Sequence, residues 1–225
     1  PVFVDVLPDQ NIDPSKIEAA ITKNTKAIMP VHLTGRMSRM DEIRDIAYKY
    51  NLQIIEDSAQ AIGSKYLNIP SGKWGKIGCF SAHPLKNLNA CGDAGFLVTD
   101  DDEIANKIRI LRTHGMIDRN TVKHFGYVSR MDSIQAAILN IKLDDLAGTI
   151  ARRRETANTY NEGLQDLALR TPVVDSKVFH SYHLYVIELD NRDLIQSKLA
   201  EYIFKILGGE KGNSTTVILK HMPVM

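Results

Sequence analysis

Lys86 follows the apolar run Ile77–Phe80, with the hydroxyl of Ser81 five residues before it and Pro84 fixing the turn between them. A lysine placed behind a buried strand loses hydration. Its pKa falls, and the neutral amine can attack an aldehyde. Taken alone, Lys86 reads as a solvated surface group, as most lysines are. The strand before it, the Ser81 hydroxyl and the small residues Gly92-Asp93-Ala94-Gly95 after it lift the reactive reading. A serine hydroxyl so placed can donate to a phosphate oxygen. The second cluster is Asp57, directly after Ile54-Ile55-Glu56, with Gln60 three residues on. Ligands of open α/β sheets bind beyond the carboxyl ends of the strands. A carboxylate there could bind a metal, accept from a ribose, pair with a protonated ring nitrogen, or merely cap the next helix. Gln60 could share the same pocket mouth or be an ordinary surface glutamine, and Glu56 is expected to be structural.

These groups need elements to hold them. Asp13-Pro14 reads as an N-cap with proline at the first helical position, and Ile17, Ala20 and Ile21 supply an apolar face. Ala27-Ile28-Met29 with Val31 forms a short buried strand interrupted by Pro30. Ser38 is the expected cap of a helix whose Met40, Ile43, Ala47 and Tyr50 recur at helical spacing. Strands are expected at Leu52–Ile55, Ile77–Phe80 and Phe96–Thr99, and Asp101 or Asp102 caps a helix bearing Ile104, Ile108 and Leu111. After the loop His114–Ser129, the stretch from Met131 to about Leu167 is strongly helical, with Ile134, Ala137, Ile138 and Ile141 on one face. A strand at Leu184–Leu189 and a helix from about Arg192 follow. Strands alternating with helices predict an α/β fold with a mostly parallel central sheet flanked by helices. The division falls near residue 146: a large domain over 1–145 and a smaller α+β domain over 146–225.

Composition removes several function classes. The 28 basic residues balance 27 acidic ones, for a formal charge of +1, so no basic surplus points to nucleic acid. Arg152-Arg153-Arg154 reads as a solvated helix face. No apolar run approaches the ~20 residues that span a bilayer, and no signal-peptide core opens the chain. Cys79 and Cys91 form no CxxC pair, so neither a zinc site nor a disulfide framework is expected, and a reducing, cytoplasmic setting fits best. Both ends of the chain read as cut from a longer protein.

Glu56-Asp57-Ser58-Ala59-Gln60, Phe80-Ser81 through Lys86-Asn87, and Arg130-Met131-Asp132 with Gln135-Ala136-Ala137 resemble the DegT/DnrJ/EryC1/StrS family. Pro1–Asp5, Pro30-Val31-His32-Leu33 with Gly35, and His183-Leu184-Tyr185-Val186 are similar to it too, so the resemblance runs from Pro1 to about Tyr202. It implies a fold-type I transferase dependent on pyridoxal 5'-phosphate, moving an amino group from an amino acid (glutamate) to a nucleotide-linked keto-sugar, and working as a homodimer in amino-sugar and surface-polysaccharide synthesis. It further implies that Lys86 is the Schiff-base lysine and proton shuttle, that Asp57 pairs with the ring nitrogen, that Gln60 bonds the phenolic oxygen, and that Ser81 binds the phosphate. No firm role carries over to His32 or His83.

Three departures stand out. Val128 occupies the place of the family's asparagine in Gly126-Tyr127-Val128-Ser129-Arg130, and an apolar side chain cannot donate to phosphate. Either Ser129 or a backbone amide substitutes, or cofactor affinity is lower. The family's upstream phosphate loop and stacking aromatic are absent, and Lys205–Thr216 departs from its usual pattern. Rival readings are a sugar dehydratase of the same family, which carries histidine where Lys86 stands, and a non-catalytic or regulatory relative. A nucleotide-binding module finds no G-x-G-x-x-G to support it.

Overall fold

The computed structural model describes residues 1–172 and 175–206. Helix α1 (Pro14–Ala20) starts as its sequence dictates, with the Asp13 carboxylate accepting the Ser15 N–H at 3.0 Å and Pro14 inside the first turn. Strand β1 (Ala27–Ile28) is only two residues long, because Met29 turns outward and Pro30 cannot donate to a ladder. Helix α2 (Met40–Lys49) lays Met40, Ile43 and Ala47 against β1 and β2 (Gln53–Asp57). These residues join Ile17, Ile28, Ile54 and Tyr66 in one core cluster, where burying a side chain such as Ile43 contributes about 1.5–3 kcal/mol.

Ser38 does not cap α2. Its N–H donates to His32 Nδ1 and its hydroxyl donates to the Val31 carbonyl, so Ser38 is spent on the loop beneath the strand ends. Arg39 precedes the helix instead, without a side-chain cap bond.

A short hairpin follows, β3 (Lys65–Tyr66) and β4 (Ile69–Pro70), and then β5 (Ile77–Ser81) and β6 (Gly95–Val98). The main sheet runs β1-β2-β5-β6, parallel at the first two pairings and antiparallel at the last. Gly78 in β5 leaves no room for a side chain, since a Cβ there would collide with the Gly72 backbone. Helix α3 (Asp102–Leu111) is capped by Asp101, whose carboxylate accepts from Glu103 and Ile104 N–H.

The helical stretch predicted from Met131 divides into α4 (Ser133–Asp144) and α5 (Leu146–Leu164), with Asp145 between them. The apolar face read on α4 points outward: Ile134 is 67% and Ile141 74% exposed, whereas Leu139 is buried with Ala82, Leu88 and Ala90. Spacing gave the stripe, but the packing partner decided which stripe is covered. The arginine run is likewise corrected. Only Arg152 is solvated; Arg153 donates to the Tyr182 carbonyl at 3.1 Å, and Arg154 donates to the His180 carbonyl at 2.8 Å with its guanidinium over Phe179.

Strand β7 (Val178–Phe179) pairs antiparallel with β3, which returns the chain to the first half of the molecule. The strand predicted at Leu184–Leu189 does not form; the Leu184 N–H donates to the Thr34 carbonyl, and only Glu188 bridges, to Arg170. Helix α6 (Arg192–Ile206) begins where the sequence placed it. Beyond 206, the remainder of the departing stretch 205–216 lies outside the described residues. Among the described residues no helix is long and apolar enough to cross a membrane.

Candidate active site

The carboxyl ends of β2 and β5 lie side by side, Asp57 in register with Cys79, so Asp57 and Ser81 project from neighbouring strands. β5 then runs into the turn His83–Lys86, closed by the Lys86 N–H donating to the His83 carbonyl at 2.9 Å. This brings the Lys86 amine within electrostatic range of Asp57. Loss of hydration holds its pKa below the ordinary lysine value, and the Asp57 charge offsets part of that fall. Asp57, Ser81 and Lys86 are thus carried by two adjoining strands and the turn after the second, while Gln60 follows Asp57 by three residues and is tied to Thr34.

Asp57 Oδ1 accepts the Ala59 N–H at 3.0 Å, which fixes the carboxylate's rotamer while leaving Oδ2 to an outside donor. Ser81 Oγ accepts the His83 N–H at 3.3 Å, and its hydroxyl proton remains available. Gln60 Oε1 accepts the Thr34 N–H at 2.6 Å, which turns the two protons on Nε2 away from Thr34. His83 is exposed and works on its own loop, with Nδ1 accepting the Leu85 N–H. Val128 is exposed, and the Ser129 amide is committed to the Arg112 carbonyl within the chain.

Three further groups, to which the sequence gave no role in the site, complete the surroundings. His32 and Glu56 form a fully buried pair at 3.1 Å behind Asp57. Thr34, at φ +61°, holds Gln60. Ser181 to His183 lean on Gly35, and the Ser181 carbonyl accepts from Asn87 Nδ2 at 3.0 Å, beside the lysine. The resemblance of Pro30–Gly35, Glu56–Gln60 and His183–Val186 marked the segments of His32, Thr34, Glu56 and His183 without saying what they touch, and Ser181 carried no signal.

The DegT/DnrJ/EryC1/StrS aminotransferase family model matches residues 1–206. The chain belongs to this family. Among relatives of the DegT/DnrJ/EryC1/StrS aminotransferases, it is 44% identical to the pleiotropic regulatory protein of Geobacillus stearothermophilus, a match covering 89% of this chain and 55% of that one. It is 43% identical to the UDP-N-acetyl-3-dehydro-alpha-D-glucosamine 3-aminotransferase of Acidithiobacillus ferrooxidans, covering 88% and 54%. The crystal structure of S. venezuelae DesV in complex with a ketimine intermediate superposes with a TM-score of 0.87 at 37% identity, covering 90% of this chain and 55% of that one. The chain thus spans about half the length of the relatives it matches, and its fold is the α/β fold of these aminotransferases.

The arrangement fits pyridoxal phosphate on its own terms. A partly desolvated amine lies within electrostatic range of a carboxylate held at one oxygen only, a glutamine has a free pair of N–H donors, and a serine has a free hydroxyl. Two buried oxygens, Ser58 Oγ and Asn87 Oδ1, have no protein partner beside Asp57 and Lys86 respectively. Among the described residues, no group of three or more His, Cys, Asp or Glu side chains could hold a metal ion.

Proposed function

We propose that the full-length protein is a transaminase that uses pyridoxal phosphate to move an amino group from glutamate to a keto-sugar carried on a nucleotide. The observation that carries this reading is Lys86, in the turn after β5, lying within electrostatic range of Asp57 at the end of the adjoining β2, with its pKa lowered by desolvation. The names of relatives that act on nucleotide-linked sugars support the acceptor class.

Lys86 Nζ would hold the cofactor covalently, Asp57 would pair with the ring nitrogen, Gln60 Nε2 would donate to the phenolic oxygen and Ser81 to the phosphate. Bound in this way, the cofactor supplies an electron sink for the electrons left at the donor's Cα. Lys86 Nζ would also move the proton between the donor's Cα and the cofactor's C4′, so the same amine would serve as base and acid. Partial desolvation suits it to both tasks, since it brings the lysine closer to neutral pH.

The division at 145/146, a homodimer with the Gly126–Arg130 loop crossing to the partner, and a cytoplasmic setting belong to the same reading. Exposed Phe125, Tyr127, Ile134 and Ile141 support an interface on that side, and the free thiols of Cys79 and Cys91 support a reducing compartment. The test is to incubate the full-length protein and cofactor with L-glutamate alone, following the cofactor's spectrum and 2-oxoglutarate. Conversion to the amine form, reversed by a nucleotide keto-sugar with appearance of an amino sugar, is expected. A sugar product that loses a hydroxyl without gaining nitrogen would overturn the reading.

A further inference from the structure

Glu56 is a buried carboxylate with four donors. His32 Nε2 lies 3.1 Å from Oε2, the Gly72 N–H donates to Oε2 at 2.8 Å, and the Trp74 and Gly75 N–H groups donate to Oε1 at 2.7 Å each. The tautomer of His32 follows from the bonding. Nδ1 accepts the Ser38 N–H at 3.2 Å, so the ring proton sits on Nε2 and points at Glu56. Every lone pair and proton in this circuit has one compatible assignment. Both side chains are completely buried, and a buried carboxylate is costly compared with an apolar side chain of the same volume. Simple packing does not call for it.

Its place in the fold suggests what it does. Side chains alternate along β2, so Glu56 and Asp57 face opposite sides of the sheet and can act on each other only through the backbone. That backbone is gripped at its end by one short segment: the Asp57 N–H donates to the Pro30 carbonyl, and the His32 N–H donates to the Asp57 carbonyl, each at 3.0 Å. β1 pairs only with the start of β2 and has already ended at Ile28, so on that side the end of β2 is held by this grip. The His32–Glu56 bond crosses the same junction. The Gly72–Gly75 amides tie it to the loop that leads into β5, and hence to Ser81 and Lys86.

We propose that His32 and Glu56 are positioning residues that fix Asp57 relative to the strand bearing Ser81 and Lys86. This rests on the assignment of Asp57 as the partner of the cofactor's ring nitrogen. For a contacting ion pair in a protein interior, a retreat of about 1 Å moves the partner's pKa by roughly one unit, so displacement of Asp57 should show in the cofactor's titration.

The experiment compares three variants of the full-length protein. His32→Gln keeps an N–H donor where Nε2 stood; His32→Asn keeps the acceptor for Ser38 and loses the reach to Glu56; Glu56→Gln cannot accept all four donors. Two readouts are taken: the pH midpoint of the bound cofactor's visible absorption, and amide exchange at Asp57, Gly72 and Gly75 in the cofactor-free protein. His32→Asn and Glu56→Gln are expected to move the midpoint by about half a unit or more and to speed exchange at all three amides, while His32→Gln leaves both near wild type. If thermal stability falls in the variants but midpoint and Asp57 exchange do not change, or if His32→Gln behaves as His32→Asn does, the positioning role is overturned. If Glu56→Gln does not fold, the two His32 variants still decide the matter. A wild-type protein that forms no cofactor band would sink the proposed function, while the exchange measurements still decide whether His32 and Glu56 hold Asp57.

Discussion

The side-chain oxygen of Gln60 accepts the backbone N–H of Thr34 at 2.6 Å, and Thr34 sits in a left-handed conformation at φ +61°. One bond therefore stabilises an unfavourable backbone and orients the amide that would face the cofactor. Gln60→Glu keeps the acceptor for Thr34 but replaces the N–H donors by a second oxygen. The fold should be retained while cofactor affinity falls by about tenfold or more, as measured by absorption titration.

Among the described residues, Lys86 is the lysine whose pKa desolvation lowers, whereas the partners of exposed Lys16, Lys49 and Lys76 raise theirs. Borohydride reduction of the loaded protein should fix the cofactor on Lys86, identified by peptide mapping, and Lys86→Ala should abolish the adduct. An adduct on another lysine would show the assignment to be wrong.

Burial holds the His180 imidazole at a pKa of about 3, with Arg36 and Arg154 adding to the effect. Between its unfolded value near 6.5 and about 3, the unfolded chain binds the extra proton, so stability falls as pH drops through this window, by at most ~1.4 kcal/mol per unit. His180→Asn keeps an acceptor for the Tyr182 N–H that Nδ1 now serves at 2.9 Å. The variant should show a flatter dependence of Tm on pH between 6.5 and 4.

Gly35 has φ +95°, and a Cβ there would meet Ser181 Oγ at 2.6 Å. Gly35→Ala combines backbone strain with a clash against the segment that touches Asn87. It should cost about 2–3 kcal/mol in denaturant unfolding and weaken cofactor binding as well.

Much was legible from residue order alone. The caps Asp13 and Asp101, the core positions Met40, Ile43 and Ala47, and the strand that ends in Asp57 all follow from local rules: a short polar side chain before a helix, apolar spacing of three and four, an unbroken apolar run. Lys86 and Asp57 stood out because both follow buried strands, and neighbouring parallel strands bring their carboxyl ends to one place. Local rules could not say which surface of α4 would be covered, because a stripe of Ile134 and Ile141 is as apolar as the one that is buried. Nor could they tell that Ser38 bonds to His32 rather than caps α2, or that Arg153 and Arg154 hold carbonyls 29 and 26 residues away. The roles of Glu56, Thr34 and Ser181 arise from contacts across 24, 26 and 94 residues with His32, Gln60 and Asn87. Such partners are chosen by how strands, turns and the returning 178–183 segment pack together, and packing is a property of the assembled chain.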